Sequence, residues 1–274
     1  MPNIIVEGRR VAYFESGMGA TIVLLHAGGT SGKQWAKTAR LLEGKFRVIA
    51  PDLWGFGETE SWPGEQELTH DHQALLVASV IQHLCREPVH VVGHSYGGAT
   101  AVRLLLRNGK LVRTAVLIEP ILTCLLKFAG EEEQFREYSE MAQSFLGNVA
   151  AANLDEAWRV FLDYRNGPGT WEGLPDASRE RFRAATESTV AGFRSNLSNP
   201  TSINDLARLS LPILVLCGEK TTVPDRRVTE IIRGHIPRCR YEIIPGAEHM
   251  SPLTHPEFIA ETIERHIHAG NAAL

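Results

Sequence analysis

The apolar run Val89-His90-Val91-Val92 stops at Gly93-His94-Ser95-Tyr96-Gly97 and gives way at once to the helix-forming stretch Ala99 to Leu106. A serine hydroxyl attacks a carbonyl well only when it is lifted clear of its surroundings. A sharp strand-to-helix turn does this, provided the flanking positions carry no side chains. Gly93 and Gly97 meet that condition, and the first turn of the following helix leaves backbone N–H groups free to face a developing negative charge. The chemistry is nucleophilic attack by Ser95, and it needs a base that is neutral near pH 7, which histidine supplies best. Of the eleven histidines, His249 follows the last predicted strand, in the turn Pro245-Gly246-Ala247-Glu248-His249. His94 belongs to the Ser95 turn but should point away from the cleft, and His255, His266 and His268 lie in or beside the C-terminal helix. A carboxylate should orient the base. Glu119 closes the run Val116-Leu117-Ile118, with Glu219 and Asp225, after Ile213 to Cys217, as rivals.

These residues need a frame, and the chain alternates short β-branched runs with helical stretches. The runs are Arg10 to Glu15, Ile22 to Leu25, Arg47 to Ala50, Val89 to Val92, Thr114 to Ile118, Ile213 to Cys217 and Tyr241 to Ile244. Such alternation predicts an α/β fold with a mostly parallel central sheet flanked by helices, and reactive groups collecting at the carboxyl ends of the strands. From 121 to 206 the rhythm breaks, with helical stretches Glu131 to Leu146 and Leu154 to Tyr164 and no convincing strand. We read it as an inserted helical lid, with 1–120 and 207–274 forming the core domain. Its aromatic residues, Phe128, Phe135, Tyr138, Phe145, Trp158, Phe161, Tyr164, Trp171, Phe182 and Phe193, either line a pocket or pack the lid onto the core.

Composition excludes more than it names. With 274 residues, 43% hydrophobic and 22% charged, the chain can bury a large core. A net charge of −4 without a dense Lys/Arg run implies neither nucleic acid nor an anionic membrane as partner. No basic segment leads into a long apolar run, so a cytoplasmic protein is expected. Cys85, Cys124, Cys217 and Cys239 are too scattered for a metal or a disulfide framework, and no cofactor is indicated. The expected partner is a small-molecule substrate, with a homodimer left open.

Together these motifs resemble the α/β-hydrolase superfamily over nearly the whole chain apart from the lid. Leu24-Leu25-His26-Ala27-Gly28-Gly29-Thr30 is similar to the family's oxyanion loop, with Ala27 where a glycine is common, and Pro51-Asp52-Leu53-Trp54-Gly55-Phe56-Gly57 to its Pro-Asp-X-X-Gly-X-Gly turn. The loop at His249 resembles the one that supplies the family's catalytic histidine, in the order serine, acid, histidine. The resemblance implies that the amides of Gly28 and Tyr96 hold an oxyanion and that His26 supports the loop. Most family members carry an aspartate where this chain has Thr221, in a loop one residue short, but a subset takes the acid from the earlier strand, which here means Glu119. His26, Trp54, Trp158 and Tyr164 are the candidate substrate-binding residues, although Trp54 could equally pack under the sheet edge. The implied activity is cleavage of a small or medium apolar carboxylic ester by a serine hydrolase. A serine argues against the epoxide-hydrolase and dehalogenase relatives, which use aspartate. Alternatives on the same machinery are lactone, amide or carbon–carbon bond hydrolysis, the last on a carboxylate-bearing ring-fission product that Arg103, Arg107 or Lys127 could meet. A small-molecule receptor of this fold, with very slow turnover, is the reading from another class.

Overall fold

The computed structural model describes residues 1–271. One eight-stranded sheet runs in the order β1-β2-β4-β3-β5-β6-β7-β8. The strands are β1 (Asn3–Val6), β2 (Arg9–Ser16), β3 (Thr21–Leu25), β4 (Arg47–Pro51), β5 (Val89–His94), β6 (Val112–Ile118), β7 (Ile213–Gly218) and β8 (Cys239–Ile244). β2 pairs antiparallel with β1 and β4, and every other pairing is parallel. Seven strands coincide with the expected runs, and β1 is an addition. It folds back on β2 through Glu7 and Gly8, both with positive φ (48° and 72°), as a tight hairpin requires.

Side chains alternate between the two faces of the sheet. Val23, Leu25, Val91, Leu117 and Val215 pack with α2 (His70–Leu84), α3 (Tyr96–Asn108) and α10 (Val223–His235). Ile22, Leu24, Val92, Val116 and Leu214 pack on the other face with α1 (Ala36–Leu42) and α12 (Pro256–Asn271). The spacing of Ile259, Ile263 and Ile267 puts all three on one side of α12, and each is essentially fully buried. Such burial is worth about 2 kcal/mol per side chain.

Between β6 and β7 lies an all-helical insertion: α4 (Cys124–Phe128), α5 (Glu132–Ala150), α6 (Leu154–Asn166), α7 (Asp176–Ala184), α8 (Thr186–Leu197) and α9 (Ile203–Ala207). It has its own apolar centre, where Tyr138, Phe145, Trp158, Trp171 and Phe193 are buried. Polar contacts that tie it to the core include Arg165 to Asp225, Asn166 to the Met250 N–H, Ser188 to the Gly55 carbonyl, and Asn196 to His70. The short helix α11 (Ser251–Thr254) follows the His249 loop.

Candidate active site

β5 ends at His94, and Ser95 turns the chain into α3 with φ 55° and ψ −114°. That backbone is costly for a residue with a side chain, about 1–3 kcal/mol, and persists only where the surroundings enforce it. They do so here through close packing: a Cβ on Gly93 would come 2.4 Å from the Gly97 carbonyl oxygen, and one on Gly97 would come 2.4 Å from that of Leu25. The Ser95 N–H donates to the Ile118 carbonyl at 2.9 Å, pinning the turn to β6. Glu119, the next residue after that carbonyl, is also held at positive φ (41°).

Both strained residues converge on His249. Its Nε2 lies 2.9 Å from Ser95 Oγ, and its Nδ1 lies 2.6 Å from Glu119 Oε2. With Nδ1–H donating to the carboxylate, the Nε2 lone pair is left to accept the serine proton. Glu119 also accepts from the Gly218 N–H at 2.6 Å and the Thr221 hydroxyl at 2.8 Å. Burial opposes charge on Glu119, but the bonds and charge of His249, with the Gly218 and Thr221 donors, outweigh it and hold the carboxyl below its ordinary range. Burial, followed by the positive charge of Arg165, lowers His249 below its ordinary value, against the pull of Glu119. Ser95 is therefore bonded to a neutral imidazole at pH 7.

Gly28 and Tyr96 flank the serine on the other side. A Cβ on Gly28 would lie 3.8 Å from Tyr96 Cβ, and both residues border a small chamber on Ser95 together with Tyr138, Thr189 and Arg165. Tyr96 is the first residue of α3, where N–H groups have no partner within the helix. A larger cavity of about 310 Å³ opens from Ser95 toward the insertion, walled by Phe161, Leu162, Leu174, Phe182, Met250 and Leu253. Glu119, Asp225 and His249 offer ligand atoms within 4.8 Å of one another, but the Arg165 guanidinium bonded to Asp225 opposes a cation there.

Residues 22–262 match the alpha/beta hydrolase family. The chain belongs to that family. It is 33% identical to a soluble epoxide hydrolase of Corynebacterium sp. (strain C12), over 94% of this chain and 93% of the relative. It is 31% identical to a 2-hydroxy-6-oxo-6-(2'-aminophenyl)hexa-2,4-dienoic acid hydrolase of Metapseudomonas resinovorans, over 92% and 86%. A thermophilic esterase from Thermogutta terrifontis has the same fold (TM-score 0.73, 23% identity, 98% of this chain and 99% of that one).

In this α/β hydrolase the expected substrate-binding residues lie elsewhere. None of His26, Trp54, Trp158 and Tyr164 borders either space beside Ser95. His26 is fully buried: its Nδ1–H donates to the Ala27 carbonyl at 2.8 Å and its Nε2 accepts from the Leu53 N–H at 3.0 Å, so it braces the loop before Gly28. Trp54 packs edge-on to Trp62 in the core, away from the cavity. Trp158 fills the insertion's centre with its N–H on Thr186 and its ring over Gly29, one layer behind the cavity wall. Tyr164 points outward to Glu137.

Arg103 and Arg107 are paired with Asp71, and the Lys127 ammonium lies over Phe135, so none of the three reaches the cavity. Glu219 accepts from the Gly246 N–H at 2.7 Å and supports the His249 loop from outside. His94 faces away from the cavity as expected. It accepts from Gln34 at 3.1 Å and donates to the His249 carbonyl at 2.9 Å, while Gln34 also accepts from the Ala27 N–H. This chain braces the Gly28 and His249 loops against each other.

The sequence reading missed Arg165. It lies on the inner face of α6, seven residues after Trp158 and three after Leu162, and is 4% exposed. A charged residue at a position whose helical neighbours are core residues was the available signal.

Proposed function

We propose that the protein is a serine hydrolase that cleaves small to medium apolar carboxylic esters. The observation that carries this reading is the bonded series Ser95 Oγ, His249 Nε2, His249 Nδ1 and Glu119 Oε2 at the floor of an apolar cavity. Ser95 Oγ attacks the ester carbonyl carbon as its proton passes to His249 Nε2. The tetrahedral oxyanion forms against the N–H groups of Gly28 and Tyr96, which act without reorganising. The carbon–oxygen bond of the leaving alcohol breaks, and His249 returns the proton to that oxygen. Water, deprotonated by the same nitrogen, then cleaves the acyl-serine and releases the acid. Glu119 fixes the tautomer of His249 and stabilises the imidazolium.

The experiment is a p-nitrophenyl ester series assayed with wild type and Ser95→Ala, with mass spectrometry of the quenched protein. Turnover and an acyl adduct on Ser95, both absent in Ser95→Ala, are expected. An active Ser95→Ala protein would overturn the reading.

One observation favours a second reading. Arg165 borders the cavity, and its Nε has no hydrogen-bond partner among the described residues. An anionic group on the substrate could use it, as in carbon–carbon bond hydrolysis of a carboxylate-bearing ring-fission product. The family includes a dienoic acid hydrolase at 31% identity. Faster turnover of such acids than of neutral aryl esters would favour this alternative.

A further inference from the structure

The ion pair between Arg165 and Asp225 is almost completely excluded from solvent, with side chains 3% and 2% exposed. It is also placed where it can act on the base. Asp225 Oδ2 lies 3.5 Å from His249 Nδ1, the nitrogen that donates to Glu119 at 2.6 Å. Two carboxylates from different elements, the end of β6 and the start of α10, thus converge on one imidazole N–H that can serve only one of them. Carboxylates held this close repel each other and together raise the proton affinity of the ring between them. The guanidinium that separates their effects comes from neither element. It comes from α6, in the insertion, where it is flanked by the rings of Tyr138, Phe161 and Tyr164.

We propose that Arg165 and Asp225 are positioning residues: the lid's guanidinium neutralises Asp225, keeps Glu119 as the partner of His249, and completes the general base only when the insertion is seated on the core. The proposal rests on the serine-hydrolase reading above. If Arg165 leaves, Asp225 becomes a second uncompensated anion beside His249, and the ring holds its proton to higher pH. If Asp225 alone loses its charge, the lone guanidinium acts on the ring and the proton leaves at lower pH. Removing both restores the net charge.

The other groups facing His249 do not substitute for the pair. Glu119 is bonded to it, and Glu248, its neighbour in the loop, is exposed. His94, with its ring centroid 5.1 Å away, is kept neutral chiefly by burial.

The test is the pH dependence, from about pH 5 to 9, of Ser95 labelling by a fluorophosphonate, in which the Oγ–P bond forms, the P–F bond breaks and the serine proton passes to His249. Arg165→Met should move the acid limb up by about one pH unit and Asp225→Asn should move it down. The double variant should return it toward wild type, and Arg165→Lys, which keeps the charge, should leave it near wild type. Limbs that coincide in all variants, or single variants that move the same way, would overturn the proposal, since a purely structural pair loses rate without displacing the limb. A rise in KM confined to anionic substrates, with the limb unmoved, would also overturn it. Should Arg165→Met fail to fold, Asp225→Asn against the double variant decides: a lower limb in the single variant supports the proposal and equal limbs overturn it. The NMR titration of the His249 ring in the same proteins reads the same displacement without turnover. A wild type whose Ser95 never reacts would defeat the serine-hydrolase reading, and the ring titration would still decide this one.

Discussion

The strand ends of the sheet and the inner face of the insertion meet at Ser95, and they build their halves of the site by different means. Ser95 and Glu119 are the residues immediately after β5 and β6, and His249 follows β8 by a short loop. Their positions come from the backbone, through ladder hydrogen bonds, two strained φ angles and glycines where main chains nearly touch. The insertion offers Phe161, Leu162, Arg165 and Phe182 from helices, and their positions come from side-chain packing around Tyr138, Phe145 and Trp158. A backbone-built site tolerates no substitution of its reacting groups. A wall built by packing can be recut, with consequences for which substrate fits.

That contrast sets the largest expected effect. Ser95→Ala and His249→Ala should each lower kcat by about 10⁴–10⁶-fold while leaving the melting temperature nearly unchanged. Residual activity within about tenfold of wild type in either would break the comparison, because the strand ends would then not carry the chemistry. Next is the choice between the two carboxylates. Glu119→Gln should cost about 10³–10⁴-fold, since it loses the charge that stabilises the imidazolium. At alkaline pH Asp225→Asn should cost no more than about tenfold in rate, although it unpairs the buried Arg165 and lowers stability by about 3–5 kcal/mol. Parallel rate measurements and thermal melts separate these outcomes, and a reversed order of rates would give the acid role to Asp225.

The same division explains what could be read from the sequence. Strand periodicity, the Gly93 and Gly97 pair and the loop around His249 are local patterns, so seven strands and the residues that meet at Ser95 were visible before the structure. β1 was not, because a four-residue edge strand with an exposed face leaves little alternation, and Glu7 at its turn is not the usual hairpin residue. The cavity wall was visible only in part, since Phe161 and Phe182 stood among ten aromatic residues with nothing to single them out. Trp158 and Tyr164 are the conspicuous residues of α6, but the wall is made by Phe161, Leu162 and Arg165 of the same helix. Which face of an aromatic-rich helix meets the core depends on tertiary packing, and residue type alone does not give it. Arg103 and Arg107 drew attention as cations and are satisfied by Asp71, whereas the cation beside the base sat in a helix read only for its aromatics.

A wall variant sharpens the comparison at smaller scale. Phe161→Ala enlarges the cavity beside Ser95 without touching the relay. It should change the ratio of kcat/KM between short and long acyl esters by about 10–100-fold, with kcat for the preferred ester falling far less. An unchanged chain-length profile would mean that substrate is held elsewhere.

The smallest effect concerns the seam between the two regions. The Nε2–H of His70 donates to Asn196 of the insertion at 2.8 Å, and its Nδ1 accepts from Thr100 of α3 at 3.0 Å. Burial, only partly offset by the Asn196 bond, pushes His70 down to about 4 from 6.5. The unfolded chain therefore binds this proton more readily, and stability falls as pH drops from about 6.5 toward 4, with no contribution above 6.5. From pH 6.5 to 5 the loss from His70 alone is about 2 kcal/mol. His26, His94 and His249, all lowered by burial, add to it in the same direction. Asp71, held at about 2 against burial by Arg107 and Arg103, gives way only at lower pH, so the two windows separate. Melting temperature measured across this range should fall between pH 7 and 5, and His70→Gln should flatten the slope. A curve that is level or rises toward pH 5 would mean that the seam does not depend on a neutral His70.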